Sequence, residues 1–107
     1  MNEKYQKYLP IGTVVLLKGG KKRIMIMGFC SMAESDKTKV YDYTGVLYPE
    51  GYLNPNQVCL FDHNQIDKIY CLGLSDEEDK KFKVELNKLA TSLEEIKKEN
   101  GQDFLNN

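Results

Sequence analysis

Apolar and polar positions follow two rhythms along this chain, short apolar runs up to about residue 74 and a helical spacing beyond it. The first run, Ile11 to Leu17 (IGTVVLL), is β-branched and apolar, and Gly19-Gly20 supplies the backbone freedom of a tight reversal. Arg23 to Phe29 (RIMIMGF) follows at once, so the two runs joined by KGGKK predict a β-hairpin. Ser31 to Lys37 is small and polar and reads as a loop. From Lys39 to Tyr48 (KVYDYTGVLY) the residues alternate, with Val40, Asp42, Thr44 and Val46 on one face and Tyr41, Tyr43 and Leu47 on the other. Both faces are mixed, which suits a strand near an edge or mouth whose tyrosine rings are partly wet.

Pro49-Glu50-Gly51 and Asn54-Pro55-Asn56 are successive turn signals, so YPEGYLNPN predicts a compact surface loop bearing Tyr48 and Tyr52. Two further short strands, Val58 to Phe61 and Lys68 to Leu72, flank DHNQID. A helix is then announced by Ser75 with Glu78 three residues on, the spacing of a capping box. Asp76, Glu77, Glu78 and Asp79 complement the positive end of its dipole, and Lys97-Lys98 the negative end. Asn100-Gly101 marks its predicted stop, leaving 101–107 as a flexible tail with Phe104 and Leu105 as its only anchors. Residues 1–8 are polar and read as a loose lead-in, with order beginning near Pro10.

The expected fold is therefore α+β, a single domain over 1–107. About five short antiparallel strands, in a curled sheet or small open barrel, fill the β-rich part 9–74, and one long C-terminal helix spans 75–100. On that helix Phe82, Leu86, Leu89, Leu93 and Ile96 recur at spacings of four and three, forming one narrow apolar stripe. A helix of about 24 residues is roughly 36 Å long, whereas strands of six to eight residues span about 20–27 Å. Either the whole stripe packs on the domain's own sheet, or Leu89, Leu93 and Ile96 reach past it to dock on a partner helix or a second copy of the chain.

Composition narrows the chemistry. The chain has 107 residues, 41% hydrophobic and 29% charged, within the range of ordinary globular domains. Lys and Arg total 15 against 16 Asp and Glu, and a formal net charge of -1 offers no global attraction to nucleic acid or anionic lipid. Met1 to Leu9 carries no apolar signal-like segment, and no later stretch is long enough to span a bilayer, so the expected location is the cytoplasm. Three cysteines, Cys30, Cys59 and Cys71, lack CxxC spacing and fit neither a disulfide framework nor a thiolate metal site. Cys59 and Cys71, inside apolar runs, read as small buried hydrophobes.

Lys18, Lys21, Lys22 and Arg23 form the only basic cluster, but no aromatic lies between Leu17 and Met27 to supply a stacking platform. A solvated turn is the better reading, with a small nucleic-acid-binding module built on KGGKKR as the alternative. His63 is the only histidine and reads as a turn-capping side chain; with Asp62 and Asp67 alone it makes a poor metal site, and no cofactor is expected. No GxSxG, glycine-rich phosphate loop or HExxH is present, so the expectation is a protein without catalytic activity.

Three stretches carry a resemblance: LPIGTVVLLKGGKKRIMIMGF, DYTGVLYPEG and LFDHNQIDKIYCLGLSDEE, together spanning about Leu9 to Phe82. In their order and spacing the chain resembles the domain-of-unknown-function family 4176, small proteins of Gram-positive bacteria. The resemblance implies an accessory role beside type VII secretion systems and their LXG-type toxins, as a cytosolic chaperone or adaptor for such an effector. The chain also lacks tryptophan, hence the WxG turn of secreted helical hairpins. The resulting candidate partner-binding residues are Tyr41, Tyr43, Tyr48, Pro49, Glu50, Gly51 and Tyr52 from the strand and loop, with Leu89, Leu93 and Ile96 from the helix.

Overall fold

The computed structural model describes residues 8–33 and 36–106, with side chains of 8–33 and 38–93. Five strands precede one helix: β1 (Val14–Leu17), β2 (Ile24–Ala33), β3 (Asp36–Leu47), β4 (Cys59–Phe61), β5 (Ile66–Cys71) and α1 (Glu77–Asn106). All neighbouring strands are antiparallel, in the order β4-β3-β2-β1-β5. The α+β class, the five strands and the single C-terminal helix thus match the pattern of the chain.

The hairpin joined by KGGKK forms, with Val15 opposite Ile24 and Val14 opposite Met25. Gly19 adopts φ 77, which a glycine tolerates without steric cost, and Gly20 N donates to Leu17 O. Of the stretch 31–37, expected to be a loop, residues 31–33 and 36–37 instead extend β2 and β3, with Ser31 opposite Tyr41 and Ala33 opposite Asp36, because the ladder of paired backbones runs on past the apolar positions.

β4 and β5 lie at opposite ends of the strand order, yet only residues 62–65 join them, three of these forming the 3₁₀ turn His63–Gln65. A flat five-stranded sheet would hold its edges about 19 Å apart at 4.8 Å per strand, further than so short a coiled link reaches. The sheet is therefore curled, with its two edge strands left unpaired to each other.

Its enclosed face carries the core: Val15, Ile24, Ile26, Tyr43 and Phe61, closed by Leu86 of α1 and by Tyr8. Aromatic rings dominate, Tyr8 standing edge-on to Phe29 (5.7 Å) and Tyr43 (6.0 Å), and Tyr43 lying 5.2 Å from Phe61. Tyr8 is buried, so order begins before Pro10 and the lead-in contributes a core residue. Gly45 sits on this face because a Cβ there would collide with Ile24 Cγ2 and press on the Phe61 ring.

The helix begins one residue later than its capping-box spacing implies. Asp76 is the cap, its Oδ1 accepting from Asp79 N at 3.0 Å, and Ser75 stays outside. The helix also continues past Asn100-Gly101 to Asn106. A single interior glycine costs only about 1 kcal/mol against alanine, which does not compel a stop. Among its described side chains Lys83 and Leu86 are buried, with Ala90 packed beside them, while Phe82 and Leu89 are half exposed. The buried line is thus rotated from the apolar stripe, and it takes in an ion pair, Lys83 Nζ to Asp79 Oδ2 at 2.9 Å. Among the described residues no helix is long and apolar enough to cross a membrane.

Candidate functional site

The tyrosine-bearing loop forms where the chain leaves β3. Tyr48 N donates to Arg23 O, Gly51 N donates to Leu47 O at 2.7 Å, and Gly51 takes φ 79, so YPEG is a closed turn held against the start of β2. The Tyr48-Pro49 peptide is cis. Glu50 pairs with Lys22 at 2.7 Å, and that hydrogen bond holds the carboxyl below its ordinary range. Tyr48, Pro49, Glu50 and Tyr52 are all exposed.

The same turn assembles a feature that spacing along the chain conceals. The guanidinium of Arg23 lies 5.0 Å from the ring centroid of Tyr48 and 5.4 Å from that of Tyr70, a residue of β5. Lys68 Nζ is 5.2 Å from the Tyr70 ring as well. Two strand ends and one edge strand thereby set two aromatic rings against Arg23 and Lys68, beside the Lys22–Glu50 pair. Because Ile24 and Leu47 are opposite one another and Ile24 is in the core, strand alternation puts Arg23 and Tyr48 on the outer face.

β5 itself is exposed along nearly its whole length, every residue from Asp67 to Cys71 facing solvent. Cys71 is therefore an exposed thiol rather than the buried hydrophobe its apolar surroundings suggested, and Cys59 is only half buried. Beyond β5 the chain crosses residues 11–13 closely: Gly73 N donates to Thr13 Oγ1, and a Cβ on Gly73 would run into the carbonyl of Ile11. This crossing gathers Ile11, Leu72 and Leu74, which are 49%, 62% and 78% exposed, next to Ile69 and Tyr70 on β5.

The other proposed binding residues are dispersed. Tyr43 is fully buried and leaves the candidate surface. Its hydroxyl accepts from Leu9 N at 3.0 Å and is 2.7 Å from His63 Nδ1. Burial pushes its phenol well above the usual tyrosine range, as it does that of Tyr8, where the nearby Cys30 adds to the effect. Tyr41 is half buried, with Lys39 Nζ 4.7 Å from its ring. Leu89 is half exposed and Leu93 half buried on α1, which packs on the enclosed face, away from the Tyr48 loop; the side chain of Ile96 lies outside the described residues.

His63 follows Asp62 into the 3₁₀ turn, and its N–H donates to Asp42 Oδ2 at 2.9 Å, so this histidine ties the β4–β5 link to β3. Among the described residues no three His, Cys, Asp or Glu side chains gather in a way that could hold a metal ion.

A family model described as a domain of unknown function, DUF4176, matches residues 8–82. The chain belongs to that family. The DUF4176 match begins at Tyr8, the first core ring, and ends at Phe82, so it takes in the whole sheet, the Arg23–Tyr48–Tyr70 cluster and the β5 edge. Leu86 and Leu89 fall outside it. No curated protein and no solved structure matches the chain.

Proposed function

We propose that this protein is a non-catalytic accessory factor that acts in the cytoplasm by holding another polypeptide. The observation that carries this reading is the exposure of Ile11, Ile69, Leu72 and Leu74 about β5, an edge strand with no second strand partner among the described residues, with Tyr70 exposed on its opposite face. Large apolar side chains exposed beside a strand edge are costly to leave in water, and such places mark sites of association with other proteins. The partner that the family resemblance implies is an LXG-type toxin or another type VII secretion component, with the chain as its chaperone or adaptor.

Co-expression with the products of neighbouring genes tests this. A stable complex should form and should be lost in Leu72→Asp/Leu74→Asp, a change at exposed positions that spares the core. If no product of a neighbouring gene co-purifies, the reading fails.

A second reading, a nucleic-acid-binding module, is favoured by the rings of Tyr48 and Tyr70 beside the basic turn. It requires salt-sensitive binding to single-stranded oligonucleotides, since phosphate contacts release counterions.

A further inference from the structure

The outer face of the sheet carries a row of side chains whose arrangement serves no folding need evident in the core. Tyr48 at the end of β3, Arg23 at the start of β2, and Tyr70 and Lys68 on β5 are linked by cation–ring contacts of 5.0 to 5.4 Å. Each ring is at least a third exposed, as is Arg23. Held on flat aromatic faces, the Arg23 and Lys68 cations lose less rotamer freedom when an anion arrives than free side chains would. The guanidinium keeps its hydrogen-bonding edge available for a carboxylate, which it can grip with two parallel bonds.

Position adds a second constraint. Lys68 and Tyr70 alternate along an edge strand that pairs with β1 on one side and with no strand on the other, among the described residues. An exposed strand edge takes up an extended segment by main-chain hydrogen bonds, and side chains of alternating residues then decide which segment fits. On the face shared with Arg23, Lys68 and Tyr70, the incoming strand would meet cations. On the other it would meet Ile69 and, past the strand end, Leu72 and Leu74.

We infer that β5 receives as a sixth strand an extended segment of the partner protein in which acidic residues alternate with apolar ones, the carboxylates resting on Arg23 and Lys68. This rests on the protein-binding reading and adds the chemistry of the segment held. Charge complementarity selects the occupant. The basic residues of this corner outnumber its acids, Glu50 and Asp67, while the net charge of the whole chain is -1. That balance draws a short acidic stretch locally without the long-range field that gathers a nucleic acid. The rings, moreover, already carry cations on their faces, where a stacking platform for bases would need them open.

The test uses the full chain, isotope-labelled, with three probes: a ten-residue peptide alternating Glu and Val, its Lys and Val counterpart, and a ten-nucleotide oligothymidylate. The acidic peptide should shift the amides of residues 66–71 and of Arg23, and slow hydrogen exchange along β5. Arg23→Gln/Lys68→Gln should weaken it roughly tenfold or more, the loss of at least one charge-assisted contact. Equal binding of the basic peptide, tighter binding of the oligonucleotide on the same residues, or unmoved β5 amides would each overturn the inference. Its failure is separable from that of the protein-binding reading. A natural partner that binds the Arg23→Gln/Lys68→Gln protein unchanged but not Leu72→Asp/Leu74→Asp removes the acidic strand and leaves the reading standing.

Discussion

Replacing Tyr43 by Phe deletes one oxygen from the centre of the domain and changes little else. The ring is fully buried, and its hydroxyl both accepts from Leu9 N at 3.0 Å and lies 2.7 Å from His63 Nδ1. It therefore ties the segment before β1 and the β4–β5 link to the middle of β3. A buried hydrogen bond contributes about 0.5–1.5 kcal/mol net, so losing both should cost about 1–3 kcal/mol. For a domain of this size each kcal/mol lowers the melting temperature by roughly 4 °C, so a fall of about 4–12 °C is expected. Urea unfolding followed by circular dichroism measures it, with an unchanged m-value showing that the same surface is exposed. Tyr41→Phe, two residues away and half buried, is the control and should stay within about 0.5 kcal/mol of wild type. If Tyr43→Phe loses no more than Tyr41→Phe, the hydroxyl does not join these segments and the account of the core is wrong.

Alkaline pH should weaken the fold through Tyr8 and Tyr43. Both phenols are raised by burial from the ordinary 10.0, so above pH 10 the unfolded chain releases protons that the folded one keeps. Stability is then fully present below pH 10 and falls above it by about 1.4 kcal/mol per pH unit for each tyrosine, readable as urea midpoints against pH. Gly73→Ala should cost at least about 3 kcal/mol, because its Cβ would strike the Ile11 carbonyl, which belongs to the backbone and cannot swing aside; thermal melting or loss of soluble expression reports it. Asp79→Ala strands the buried Lys83 ammonium and should cost about 3 kcal/mol in chemical denaturation, whereas the double variant Asp79→Ala/Lys83→Met, which removes both charges, should recover most of that loss. Lys22→Ala should move the Glu50 carboxyl titration upward, since the hydrogen bond from Lys22 is what holds it down, and carbon-detected NMR titration would show it.

Most of the fold was legible along the chain because its signals are local. The β-branched runs around KGGKK, the turn residues at 49–51 and 54–56, and the acidic first turn of the helix each act within a few residues. So does the run of strands followed by a helix. What spacing could not supply was depth. Tyr43 and Tyr41 share a strand face, yet one is in the core and the other at its margin, since depth depends on where Tyr8, Phe61 and Leu86 close over the sheet. The apolar stripe of α1 named the right helix face only to within a rotation: packing chose Lys83, Leu86 and Ala90, and left Phe82 and Leu89 half exposed.

The site divides the same way. The YPEG loop and the basic turn were each visible as local patterns, and the absence of an aromatic between Leu17 and Met27 argued against pairing them with rings. Tertiary structure reversed that argument. Tyr48 is 25 residues from Arg23 and Tyr70 is 47, and only the antiparallel register of β2 with β3 and of β1 with β5 sets both rings against one guanidinium. Sequence determined which segments become strands, turns and helix, because backbone preferences act between neighbours. Which side chains meet was decided by strand order and sheet curl, which arise from burying the apolar face of the chain as a whole.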